Sequence, residues 1–199
     1  MATKYLDLAF TESVCRAQKK YYGRAGTITD VPERDPLGPD EAAFIGARDS
    51  FYLGTVSENG WPYIQHRGGP PGFLRVLNPT TLVFADYKGN RQLLSTGNLA
   101  ANDRVSLFLM DYAGRARLKI LGHARVEDVR LHQALLAQVA EPKMQSGVER
   151  LVFIDVVSFD WNCPKYITPR YSAAEVEELV GPLKTRIAEL EATLHVVKT

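Results

Sequence analysis

Residues 61–92 read WPYIQHRGGPPGFLRVLNPTTLVFADYKGNRQ. Trp61–His66 is rich in aromatic and β-branched residues, as half-buried strands are. A Gly/Pro-rich loop, GGPPG, follows, then a second strand, and then a turn in which Lys88, Gly89, Asn90 and Arg91 open a helix. Strand-to-helix turns of small and cationic residues commonly hold phosphate. The N–H groups of the helix N-terminus point at the anion, glycine lets the backbone approach, and arginine adds a bidentate fork. On composition alone, a solvated turn fits the same residues equally well.

Working outward, Phe51–Ser57 pairs naturally with Trp61–His66 across Asn59-Gly60, a strong hairpin signal because both residues tolerate positive φ. Further strands are expected at Thr81–Ala85, Arg104–Met110, Arg117–Val126 and Leu151–Phe159, with helical patches at Arg91–Ala101 and Val129–Val139. Six strands in meander order predict a mainly β, α+β domain: a six-stranded antiparallel barrel with flanking helices. Upstream, residues 11–22 read as a helix capped by Thr11 or Ser13, 27–39 as a surface connection, and Asp40 as the N-cap of a short helix through Ala47.

The tail has a different texture. From Ala173 the apolar residues fall at 173, 176, 180, 183, 187, 190, 194 and 197, alternating steps of three and four, an amphipathic heptad seam. Gly181-Pro182 interrupts it and places Pro182 near the first turn of a later helix. Such a seam fits a helix lying on its own barrel and a helix pairing with a partner chain. The expected organisation is 1–39 as N-terminal helix and connection, 40–170 as barrel, and 171–199 as heptad helix.

The chain has 199 residues, 24 Lys+Arg against 23 Asp+Glu, 45% hydrophobic residues and two cysteines. This is the composition of a soluble globular protein. No apolar run reaches the 18 or more residues of a membrane span, MATKYLDLAF lacks a secretory apolar core, and Cys15 and Cys163 form no disulfide framework. The expected location is the cytoplasm. Between Gly60 and Arg125, nine Lys/Arg face three acids. A basic middle in a neutral chain points to a local anionic ligand rather than nucleic acid. Phosphate-loop, dinucleotide and nucleophile-elbow motifs are missing, and the four histidines have no metal-ligand spacing.

Taken in order, the strand Gly54–Ser57, the Asn59-Gly60 hairpin, the Pro62 strand, FADYKGNRQ (84–92), NDRVSLFLMDY (102–112) and RLKILGHARV (117–126) resemble the FMN-binding split barrels of the pyridoxamine 5′-phosphate oxidase family. The resemblance covers roughly residues 40–170. It implies a split β-barrel, FMN as cofactor, and a homodimer with flavin in clefts between the subunits. In the family, a G-S-R-K turn after a strand F-Y-T-N grips the flavin phosphate. The corresponding residues are Gly89-Asn90-Arg91-Gln92 after Phe84-Ala85-Asp86-Tyr87. The resemblance thus makes Arg91 the main phosphate ligand, with Asn90 and Lys88 beside it and Asp86 at the strand end. Gln92 replaces the family's lysine, and Arg67 stands in for the lost charge.

The same resemblance sets Gln65, His66 and Arg67 beside the ribityl chain and ring edge. It matches Arg75 to the end of that strand beyond the GGPPG insertion, and places Arg117 near the ring. Trp161, Asn162 and Arg170, in WNCPKYITPR, are the counterparts of residues that complete the other protomer's site; Trp161 fits a core aromatic equally well. The family's vitamin-processing members bind a substrate phosphate with Tyr, Arg-Pro and Ser in the next helix. Here that helix lacks the tyrosine and Glu141-Pro142 stands where Arg-Pro is expected, which argues against pyridoxamine phosphate as substrate.

Three functions remain open on the sequence: an FMN-dependent oxidoreductase acting on a small molecule, a non-enzymatic flavin sensor or carrier, and a β-barrel assembly domain whose cations are unrelated to flavin. No residue is singled out as catalytic, and no metal is implied.

Overall fold

The computed structural model describes residues 3–161 and 163–197, with side chains described through residue 194. Two compact units emerge, Met1–Met110 with Arg117–Cys163, and Asp111–Ala116 with Pro164–Thr199.

The larger unit is built on seven antiparallel strands: β1 (Ser50–Val56), β2 (Pro62–Gly68), β3 (Arg75–Asn78), β4 (Thr81–Tyr87), β5 (Arg104–Asp111), β6 (Ala116–Asp128) and β7 (Val148–Trp161). Their order in the sheet is β2-β1-β5-β6-β7-β4-β3. Six are the expected strands, with ends displaced by up to three residues. The seventh, β3, is four residues long and carries no apolar alternation; its pairing with β4 defines it. β1 and β4 stand four places apart, which in a flat sheet would separate them by roughly 19 Å. Yet the Phe51 ring of β1 lies 5.4 Å from the Phe84 ring of β4. The sheet therefore curls around a shared core of Leu53, Leu82, Phe84, Leu107, Ile120 and Ile154, as a barrel does.

A second cluster covers the outer face of β4 and β7. Val83, Ala85, Leu151 and Phe153 pack against the helix α5 (Gln133–Val139). That helix is shorter than expected, because Val129–Leu131 forms a separate 3₁₀ turn capped by Asp128.

Local chemistry explains the remaining elements. Thr11 caps the helix Glu12–Tyr22 through the Val14 N–H, and Gly23, at φ +74°, ends it. Asp40 is not an N-cap: Gly38 takes that place two residues earlier, the helix runs Pro39–Gly46, and the Gly38 N–H donates to Glu41. In the β1–β2 hairpin only Gly60 is left-handed (φ +87°). The Gly60 N–H bonds the Ser57 carbonyl and the Ser57 N–H bonds that of Trp61. This is a type I turn followed by a left-handed residue rather than a turn with both central residues at positive φ. With Thr3–Ala9 as α1, Glu12–Tyr22 as α2 and Pro39–Gly46 as α3, the helix after β4 is α4 (Leu94–Ala101).

The smaller unit contains α6 (Ala173–Val197). It runs through Pro182 instead of breaking there, although an interior proline costs a helix about 3 kcal/mol. Within this unit Arg170 lies over the Tyr112 ring, 5.0 Å from its centroid. No described helix is long and apolar enough to cross a membrane.

Candidate functional site: a cationic cradle between β2, β4 and α4

β2 alternates strictly. Tyr63, Gln65 and Arg67 turn to one face, while Pro62, Ile64, His66 and Gly68 are more exposed on the other. The first face meets the end of β4 and the start of α4 across a cavity of about 280 Å³. Its walls include Gln65, Arg67, Asp86, Lys88, Asn90, Arg91 and Gln92, together with Ser95 and Arg150.

Asp86 organises one wall. It is 4% exposed, and a buried carboxylate needs compensation. Arg67 Nη1 donates to its Oδ1 at 2.7 Å, and Arg150 Nε donates to its Oδ2 at 2.8 Å. Burial works to lower the Arg150 pKa, but hydrogen bonding and attraction to Asp86 outweigh it and hold the guanidinium more firmly charged than usual. Asp86 and Arg150 are direct partners in the β4–β7 ladder, whereas Arg67 reaches across from β2. The bridge thus ties the first strand of the sheet order to the sixth. Arg67 also leans on the Phe84 ring, 5.5 Å away, and its buried Nε has no hydrogen-bond partner.

The other wall is backbone. Gly89, Arg91 and Leu93 have φ of +47°, +62° and +55°, alternating with residues of negative φ. Such alternation makes a concave nest of N–H groups that suits an anion. Arg91 and Leu93 adopt it against the usual steric preference. Asn90 steadies the turn by accepting from the Gln92 N–H at 3.1 Å, and the Lys88 N–H donates to the Gly147 carbonyl at 3.1 Å. The left-handed pair also explains why α4 begins at Leu94 rather than at Arg91. Its N-cap, Leu93, offers no side-chain hydrogen bond, so the positive end of α4 faces the cavity uncapped. Nearby, Ser95 donates to Gln65 at 2.7 Å and Asn98 to Thr55 at 2.9 Å, fixing α4 against β2 and β1.

Four cations and one carboxylate line this space, and Lys88 and Arg91 form no ion pair among the described residues. Excess positive charge, a nest and an uncapped helix end together fit a dianionic phosphate. The residues present therefore suit the phosphate end of FMN.

Of the thirteen residues expected at a flavin site, seven meet here: Gln65, Arg67, Asp86, Lys88, Asn90, Arg91 and Gln92. His66 lies on the opposite face of β2, edge-on to Tyr52 at 5.6 Å. Arg75 opens β3 and Arg117 lies on β6; neither lines the cavity, and the buried Arg117 Nε has no hydrogen-bond partner. Trp161 packs edge-on to Phe44 at 4.8 Å and donates its indole N–H to Glu41 at 2.6 Å. Arg170 belongs to the smaller unit, and Asn162 lies outside the described residues. Ser95 and Arg150 escaped the sequence reading. Arg150 becomes visible only through strand pairing with Asp86, and Ser95 only through the fold of α4 onto β2.

Residues 37–150 match the family model described as pyridoxamine 5′-phosphate oxidase. The matched span holds every residue lining the cradle. No curated protein sequence matches the chain. Among solved structures, HupZ of Group A Streptococcus superposes with a TM-score of 0.50 at 12% identity, covering 68% of this chain and 99% of that one, which shows a shared fold. HutZ, the heme storage protein from Vibrio cholerae, gives 0.45 at 20% identity over 61% of this chain and 91% of its own. An FMN-binding protein from Syntrophomonas wolfei gives 0.43 at 10% identity, over 60% and 81%.

Proposed function

As this chain belongs to the pyridoxamine 5′-phosphate oxidase family, we propose that its cradle binds FMN by the phosphate and that the protein is a flavin-dependent oxidoreductase acting on a small molecule. The observation that carries this reading is the juxtaposition of Arg91, Lys88 and the uncapped N-terminus of α4 around one cavity. Arg91 and Lys88 supply the charge, the nest at 89–93 supplies N–H donors, and Arg67 is held in place by Asp86. Bound FMN supplies a ring that accepts a hydride or electrons, so the protein needs no acid–base triad of its own.

The working form is a homodimer. Beyond Tyr63, which the two sites share, β1, β2 and β5 present an apolar groove of about 750 Å³ lined by Tyr52, Val56, Ile64 and Phe108. Ile64 is 70% exposed there. An apolar sheet face of this kind is suited to a matching copy, with the flavin at its edge.

A phosphorylated vitamin is disfavoured as substrate, because Glu141-Pro142 stands where the family's Arg-Pro would hold its phosphate. Tyr87, Glu141, Lys143 and Met144 line a pocket of about 240 Å³ on the outer side of β4. Lys143 is paired to Glu141 at 3.0 Å, which leaves no positive excess there to hold a phosphate.

Titration of the purified protein with FMN, followed by quenching of flavin fluorescence, tests the cofactor; anaerobic mixing with NADH and NADPH tests the chemistry. Saturable FMN binding and bleaching of the ~450 nm flavin band are expected. Uptake of heme in preference to FMN would overturn the cofactor assignment. A bound flavin that no donor reduces would instead make the protein a flavin sensor or carrier.

A further inference from the structure

Most of the heptad seam of α6 is exposed among the residues whose side chains are described. Val176, Leu183, Ile187, Leu190 and Leu194 are 45–62% exposed; of the seam residues with described side chains, only Val180 is partly buried. A continuous helix of 25 residues with such a stripe has a second surface to find.

We propose that α6 joins two copies of this chain as a parallel, in-register, two-stranded coiled coil. The spacing sets the register. Steps of four from 176, 183 and 190 make these the d positions, and 180, 187 and 194 the a positions. Position a then holds Val180, Ile187 and Leu194, and d holds Val176, Leu183 and Leu190, so the two central heptads, Val180–Leu183 and Ile187–Leu190, pair a β-branched a with a leucine d. β-Branched residues at a with leucine at d are the combination that favours two parallel strands. The flanking charges choose the same orientation. Arg186 falls at g and Glu191 at the following e′, so each copy's Arg186 faces the other's Glu191. A centred antiparallel pair would instead oppose Arg186 to Arg186, Lys184 to Lys184 and Glu177 to Glu191. Gly181 and Pro182 fall at b and c, on the outer side of the supercoil, where a missing hydrogen bond does not touch the seam.

About three heptads make a weak coiled coil in isolation. Tethering two seams to domains that associate through the sheet face, as proposed above, raises their effective concentration and allows the short helix to suffice. The inference does not rest on the flavin assignment.

Cysteine cross-linking in the full-length chain tests it, on a background in which the free Cys15 and Cys163 are replaced by serine. Val180→Cys, Ile187→Cys and Leu194→Cys are each oxidised mildly and run on a denaturing gel, with Ala192→Cys at the outer f position as control. The parallel pair predicts a covalent dimer from all three a-position variants and none from the control. An antiparallel pair can self-link at no more than one of the three. Cross-linking at one position only, at none, or equally at Ala192→Cys overturns the proposal, the second outcome being that of a helix folded onto its own chain. Charge reversal adds an independent measurement. Arg186→Glu should cut the yield of the Ile187→Cys dimer, and adding Glu191→Arg should restore it; loss without restoration counts against the register.

Discussion

At the scale of single residues, Arg91 separates a phosphate site from a merely basic turn. Its left-handed backbone holds the guanidinium at the rim of the cradle, where no carboxylate among the described residues claims it. Loss of one charge-assisted hydrogen bond costs about 1.5–3 kcal/mol, so Arg91→Ala should weaken FMN by roughly one to two decades in a fluorescence titration. Unchanged affinity would remove Arg91 from the site. Tyr87 makes a different kind of prediction. Burial, and then the negative charge of Glu141, push its hydroxyl pKa up. A group whose pKa is raised by folding contributes its stability in full below the unfolded value, here about 10, and loses it as pH climbs through the folded value. Urea midpoints should therefore fall between about pH 9 and 11, and Tyr87→Phe should flatten that fall. An equal fall in both proteins would show that Tyr87 ionises as freely folded as unfolded.

At the scale of elements, β6 and β7 carry the main irregularity of the barrel. Leu121 pairs with Ser158 but Gly122 with Val156, which leaves Val157 bulged. The bulge frees the Val157 carbonyl to accept from the Asp35 N–H at 3.0 Å, tying down the segment before α3. A Cβ on Gly122 would stand 2.7 Å from the Asp155 carbonyl oxygen and 2.9 Å from Ile154 Cγ2, one of them backbone in a paired strand. Gly122→Ala should therefore destabilise the fold by about 1–3 kcal/mol, the usual cost of forcing atoms into a packed core. A chemical-denaturation midpoint within error of the parent would mean that the bulge yields freely. Little of this was legible in the sequence. Long strands announced themselves through β-branched and aromatic runs, and the start of α2 through the cap chemistry of Thr11. The short β3, the bulge and the left-handed Arg91 and Leu93 depend on partners far along the chain. The cradle shows the same division: its turn could be read from GNRQ, whereas Arg150 enters only by register with Asp86.

At the scale of the whole molecule, the two exposed apolar surfaces make separable claims about assembly. One is the groove on β1, β2 and β5; the other is the seam of α6. Deleting the chain after Arg170 removes the second while sparing every residue of the cradle and of the larger unit's sheet. The shortened protein should still fold, bind FMN and have the mass of a dimer by light scattering, because the sheet face remains. Ile64→Lys in that shortened chain places a charge at a residue 70% exposed on the proposed dimer face. Burying an unpaired ammonium is prohibitive, so the dimer should dissociate. The flavin should weaken with it, since Tyr63 links groove and cradle and a site at a dimer edge loses a wall when the partner leaves. In the full-length chain the same Ile64→Lys should likewise lose flavin affinity, with α6 left to hold only a weak, concentration-dependent dimer. A shortened Ile64→Lys protein that is monomeric yet binds FMN as tightly as its parent would confine the cofactor to one protomer and leave the sheet face without a part in its binding.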